Sequence, residues 1–395
     1  MPLPDRPSLE YLKKLAKDRL LDLQRANPSA RLADAQLAVA REQGFASWRR
    51  LRAHLDSLAG PRPAAADAAP ELVDEFFGAV NRGDEAALGR MLATHPGLVN
   101  ARHPDGTTPL LAAADHNKPG VIALLLDRGG DPGSLYEHSA HTPLSWAITS
   151  GSFEAAHALV RGGVEPDLFC AAGLGDVPLI ESFFDAQGRL EDGASTTGSS
   201  RYAPDGSRLP CPPASPREIV ADALYIASRN GKEEAVRALL AHGPDLSFRA
   251  FAGGTALHWA YFGGARGAVE ALLRAGADPT VRDDHVGCTP RPFGICWAAH
   301  VGWVTKVRQR LADDPTLVDV MDGGHAPLHL AAKAGQLGVV KALLEGGADA
   351  SLRDREGQTA LDLARARPDH AGCVKVVEWL TSREGEPARA SHGEP

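Results

Sequence analysis

The sequence predicts an all-α protein: an α-solenoid of short helix pairs stacked side by side. Three observations carry that prediction. Within residues 326–355, APLHLAAKAGQLGVVKALLEGGADASLRDR, apolar residues recur at helical spacing in two blocks. Glycines close both blocks, Gly335 the first and Gly346-Gly347 the second. The same two-block design then returns along the chain at a nearly fixed period, so each pair completes its core against copies of itself.

Each element of that unit has a local reason. Pro327 suits the first helical position, where a missing N–H costs nothing. His329, Leu330, Ala331 and Ala332 continue the helix, and Gly335 ends it because glycine takes a left-handed conformation without strain. Val339, Val340, Leu343 and Leu344 form the apolar stripe of the second helix, each contributing roughly 1.5–3 kcal/mol when buried. The position that opens the unit falls at Asp74, Thr108, Thr142, Pro166, Asp222, Thr255, Phe293, Ala326 and Thr359. Several of these intervals are 33 residues and two are 34. This pattern resembles the ankyrin repeat, whose signature is T-P-L-H-x-A-A-x-x-G followed by V-x-x-L-L-x-x-G-A-D. The resemblance implies about nine ankyrin repeats over residues 71–383, with partners bound at inner-helix and finger positions.

Residues 1–59 stand outside the repeat. Leu9, Leu12, Leu15, Ala16, Leu20 and Leu23 predict one helix, broken at Asn27-Pro28. A second is predicted from Leu32 to Arg41, and a third begins at the candidate N-cap Ser47 with Trp48, Leu51 and Leu55 on one face. This three-helix unit carries a net charge of +4, against −8 for the whole chain. Arg49, Arg50 and Arg52 read as a solvated helix face rather than a nucleic-acid contact. The segment RLADAQLAVAREQGFASW resembles an N-terminal extension found on a group of bacterial ankyrin proteins. Residues 60–70, rich in Pro and Ala, predict a stiff linker.

Composition excludes several classes. With 44% hydrophobic and 23% charged residues the chain reads as ordinary globular sequence. No run approaches the roughly 18 apolar residues of a membrane helix, and no apolar core follows Met1-Pro2 to suggest a signal peptide. Five cysteines at scattered spacing without a CxxC pair suit a reducing cytoplasm.

The middle of the array departs from the period. From Thr142 to Pro166 is 24 residues, so a finger hairpin is missing; from Pro166 to Asp222 is 56. The surplus is residues 188–216, a Gly-, Ser- and Pro-rich loop expected to rise on the groove side as an ordered, packed insertion. Thr255 to Phe293 is 38, with Thr289-Pro290 expected to cap an inner helix one turn longer. Residues 372–380 predict a capping helix, and 384–395 a flexible tail.

These irregularities point to a site in the middle repeats. The variable position of T-P-L-H-x-A carries three of the six tryptophans, Trp146, Trp259 and Trp297, with Cys170 and Ile226 at the same place in other units. One turn on lie Arg229, Phe262 and His300. The resemblance therefore implies a concave groove lined by these residues and Phe293, with Arg201 and Tyr202 of the inserted loop above it. Packing between neighbouring inner helices explains the tryptophans equally well. His258 and His329 occupy the signature histidine position, which in the family bonds between adjacent repeats.

A sharper chemical candidate is His285, Cys288, Cys296 and His300, a ligand set suited to zinc or iron. Its spacing matches no recognised zinc finger, so the sequence assigns no cofactor. Phosphate-binding glycine loops, HExxH and nucleophile elbows are absent from the sequence. The expected function is a binding protein gripping a protein segment or small apolar ligand. The alternative is an enzyme with loop 188–216 as lid and the Cys/His cluster as its chemistry.

Overall fold

The computed structural model describes residues 9–26, 32–42, 51, 69–136, 141–191, 194 and 215–383. The chain divides into two units, residues 1–68 and 69–395. In the first, helices Leu9–Ala26 and Leu32–Glu42 pack together. Leu12, Ala16, Val39, Ala40 and Leu51 form its buried cluster. Leu51 is helical, as expected of the third helix; the remainder of that helix lies outside the described residues. So do the inserted loop from Ser195 to Ala214, with Arg201 and Tyr202, and the tail from Glu384.

Among the described residues, the second unit is a series of nine helix pairs. The first helices of the pairs are Pro70–Arg82, Pro109–Asp115, Pro143–Ser150, Leu168–Leu174, Pro216–Arg229, Ala256–Gly263, Pro290–Val301, Pro327–Lys333 and Ala360–Arg365. Their partners are Glu85–Thr94, Pro119–Asp127, Phe153–Arg161, Val177–Glu181, Glu233–Ala241, Arg266–Arg274, Val304–Asp313, Leu337–Glu345 and Ala371–Arg383. Among the described residues there are no strands, only the isolated bridges Phe184–Leu190 and Asp322–His325. Helices this short are unstable alone, and each first helix packs on the next first helix, as the sequence requires.

Local chemistry sets most boundaries. Thr108, Thr142 and Thr359 cap their helices with side-chain oxygens, and proline follows the first two. At Gly335 φ is +71°, and a Cβ there would come within 2.8 Å of the Cys373 nitrogen, so the turn needs glycine for both conformation and space.

Three boundaries differ from the sequence reading. Pro70, assigned to the linker, opens the first helix, so Asp74 lies inside it. The fifth pair starts at Ser215, whose side chain forms a capping box with Glu218, and Asp222 is buried mid-helix. The fourth pair is capped by Asp167, one residue after Pro166. At Asp167 and Ser215 a good side-chain cap starts the helix, whereas at Pro70 the proline itself opens it without one. The lengthened seventh helix does begin after Thr289.

The middle tryptophans are core residues, a correction to the expected open groove. Trp259 is 0% exposed, and Cys170, Ile226, Phe262, Phe293 and Trp297 are buried. Their rings form one continuous contact set: Trp259 meets Phe293 at 5.1 Å, Phe262 at 5.3 Å and Tyr225 at 5.4 Å, while Trp297 lies along Phe293 at 6.0 Å. The turn Phe251–Gly253 lies against the indole and accepts a hydrogen bond from Trp259 Nε1 through the Phe251 carbonyl, 3.3 Å. A Cβ on Gly254 would sit 2.9 Å from that nitrogen, so glycine lets the backbone come this close. Arg229, half-buried, stands 5.0 Å from the Trp259 ring as a cation–π cap.

The signature histidines brace adjacent units as the resemblance implied. His258 Nε2 lies 3.2 Å from the Cys288 carbonyl and His329 Nε2 lies 3.0 Å from that of Leu352. Burial pushes the His258 pKa down to about 4. Its folded value is thus below the ordinary value, and the unfolded chain takes up the proton first as pH falls. Between pH 7.5 and 5 this group should cost about 2 kcal/mol of stability. Denaturant unfolding at the two pH values should show the loss in the native chain and a flatter profile in His258→Gln. In the same assay Trp259→Ala should destabilise by about 3–5 kcal/mol, far more than Trp146→Ala, whose ring is half-exposed.

Candidate functional site

Among the expected groove residues that the structure describes, Trp146, Arg229 and His300 remain partly exposed. Trp146, on the third pair's first helix, lines a cavity of about 280 Å³ with Phe77, His103, Asp105, Asp115 and Tyr136. Phe77 comes from the first pair, Asp115 from the end of the second, and the remainder from the connections between pairs. Trp146 Nε1 donates to Asp115 Oδ1 at 2.9 Å, which fixes the indole plane. Tyr136 tilts against it at 5.4 Å and His141 meets it edge-on at 5.3 Å. On the opposite side Phe77 and His103 pack at 5.2 Å.

The site is aromatic and acidic. His103 lies between Asp105, 3.0 Å from its Nδ1, and Asp74, 3.7 Å from its Nε2. Burial pushes the Asp105 carboxyl up, but hydrogen bonds from Thr107 and the neighbouring His103 outweigh it and hold the group below the usual carboxylate range. Asp105 is therefore ionised at neutral pH. Among the described residues, no lysine or arginine lines this cavity.

A second cavity, about 570 Å³, lies at the seventh to ninth pairs. His285, His300, His325, Lys333 and Arg367 line it. His285 and His300 have ring centroids 6.1 Å apart. Burial, then the neighbouring His285, holds His300 below the ordinary imidazole pKa.

The proposed Cys/His metal set does not assemble. Cys288 and Cys296 are fully buried beside each other, whereas both histidines face the cavity. Cys288 interacts with Cys296, and that contact together with burial pushes its thiol far above the usual range. Neither geometry nor ionisation makes it a nucleophile. Among the described residues, the donors that do converge are His325, Asp354 and Glu356, with one atom of each within 4.8 Å of the others.

Sequence reasoning found Trp146, His285 and His300 but missed Phe77, His103, Asp105, Asp115 and Tyr136. Tyr136 and Asp105 sit in finger segments, whose path across the groove no periodicity reports. Asp115 was the more legible, since it lies on the same helix face three positions after the variable residue Ala112.

Comparison with known sequences agrees with this architecture. A model described as ankyrin repeats (3 copies) matches residues 76–170 and 215–283. Another, ankyrin repeats (many copies), matches residues 318–364, and together they cover more than half of the chain. The B-cell lymphoma 3 protein of Homo sapiens is 28% identical over 309 residues, 75% of this chain and 60% of that protein. The mitochondrial disaggregase of Bos taurus is 32% identical over 222 residues, 55% of this chain and 32% of that one. The serine/threonine-protein kinase VIK of Arabidopsis thaliana is 40% identical over 104 residues, 26% of this chain and 23% of that one. The chain spans less than two thirds of each of these relatives.

The four described cysteines, Cys170, Cys288, Cys296 and Cys373, are all buried. A Cys211→Ser chain should therefore show less than one thiol reactive toward a disulfide reagent at pH 8 until denaturant is added. A fast-reacting native thiol would contradict the burial of the Cys288–Cys296 pair.

Proposed function

The chain belongs to the ankyrin-repeat family, and from that premise we propose that it is a binding protein whose anchor site is the aromatic and acidic cavity of the first three repeats. The half-exposed Trp146, held by Asp115 and flanked by Tyr136, is the observation that carries this reading. A rigid, oriented indole on a concave face is the usual form of an interface hot spot. Asp105, Asp115 and Asp74 around it favour a partner segment that presents a basic side chain. Such a side chain gains both cation–π and charge-assisted contacts.

The relatives' names support a binding role over one particular chemistry. They include a kinase and a disaggregase, matched over parts of their lengths, so similarity to them brings this chain no single reaction. The burial of Cys288, with its thiol pKa pushed up, weighs against the enzyme alternative. Among the described residues no helix is long and apolar enough to cross a membrane. A reducing cytoplasmic setting fits the buried free thiols.

Peptide-library selection against the purified chain tests the proposal. Selected segments should carry Lys or Arg at a fixed position. Trp146→Ala should weaken their binding by about 2 kcal/mol or more, roughly thirtyfold. Arg266→Ala, on an outer helix, should leave it unchanged. Equal binding to Trp146→Ala would exclude this cavity as the anchor.

A further inference from the structure

A second site lies at the other end of the array, where the fingers of the eighth and ninth pairs meet. Asp354 is held rigidly: its Oδ1 accepts hydrogen bonds from the backbone of Glu356 at 3.0 Å and Gln358 at 2.8 Å. The adjacent Arg355 nitrogen donates to the Gly324 carbonyl at 3.0 Å, which ties this finger to the preceding one. The other carboxylate oxygen, Oδ2, is different. The Asp354 side chain is 0% exposed, yet Oδ2 has no hydrogen-bond partner. Across the repeat boundary His325 Nδ1 lies 3.4 Å away and is also buried without a hydrogen bond. Leaving a buried polar atom unmatched costs about 1–3 kcal/mol, more for a charged one. The two atoms form a long ion-pair contact at most, and both are left with capacity for a shared ligand.

We propose that His325 Nδ1, Asp354 Oδ2 and the Glu356 carboxylate bind a zinc-class divalent cation that clamps the eighth repeat to the ninth. The donor chemistry points to the metal's identity, and the spacing agrees with it. Ligands about 2.0–2.2 Å from a tetrahedral zinc stand roughly 3.4 Å from one another. The His325–Asp354 separation of 3.4 Å matches that edge, and all three donors fall within 4.8 Å. An imidazole with two carboxylates suits zinc better than magnesium, which prefers six oxygens and retains water. Glu356 is exposed and needs only a side-chain rotation to close on the ion, with water completing the set. This site is independent of the partner-binding cavity at the other end.

The experiment is a calorimetric titration of the full chain, first stripped with chelator, using zinc chloride alone. One saturable equivalent is expected, with about tenfold or greater weakening in both His325→Gln and Glu356→Gln. Zinc should also raise the thermal midpoint of the native chain, and by less in each variant. Glu356 is on the surface, so its variant should fold normally by circular dichroism. Absence of saturable binding overturns the proposal. So does zinc binding that survives unchanged in both variants, which would place the ion elsewhere, or magnesium binding with equal affinity.

Discussion

Close approach between successive first helices is the constraint on which the second unit depends. No helix pair has an interior of its own, so its stability comes from the face it offers to a neighbour. Small side chains make that approach possible. Ala113, Ala147, Ala171, Ala227, Ala260, Ala298 and Ala331 are all fully buried at equivalent places along the array. Their lack of bulk lets one helix lie against the next, while the larger Val and Leu side chains of the second helices fill the space behind. The histidine braces His258 and His329 then set the spacing of the fingers by bonding to carbonyls of the following unit.

That architecture explains why the chain's chemistry is unevenly distributed. A regular stack presents finger segments and the exposed edge of each first helix on one face. Where the fifth to seventh first helices approach one another, large aromatic residues fill their contact and the turn at Phe251–Gly253 covers them. The middle is thereby closed and stiff. The first three pairs leave a cavity with an oriented indole. The last three gather histidine, lysine and arginine around a larger, polar one.

A stack of this kind is also modular in its energetics. Each unit contacts chiefly its neighbours, so a defect at one boundary is felt locally. The fourth pair is the thinnest, with a second helix of five residues followed by a long insertion. The Phe184 and His242 rings stack at 3.5 Å, and His242 Nε2 lies 3.1 Å from Glu181 Oε2. Contacts between the fourth and fifth pairs thus bridge the ends of the insertion and preserve the stack across it.

Taken alone, the sequence determined the nine helix pairs, because spacing, proline starts and glycine stops are local signals that repeat in phase. The family resemblance implied the structural role of the signature histidines, and His258 and His329 do bond across repeats. Where a cap stood beside the expected start, as at Ser215 and Asp167, the register was read a few residues off, because competing caps look alike without their surroundings. Tertiary structure alone decided which tryptophan stays open. Trp146 and Trp259 occupy the same place in the repeat, yet one is half-exposed and the other sealed beneath a finger turn. It also separated Cys288 and Cys296 from His285 and His300, and brought His325 to Asp354 across a unit boundary. Exposure and ligand convergence depend on the path of segments far apart in the chain, which no periodicity encodes.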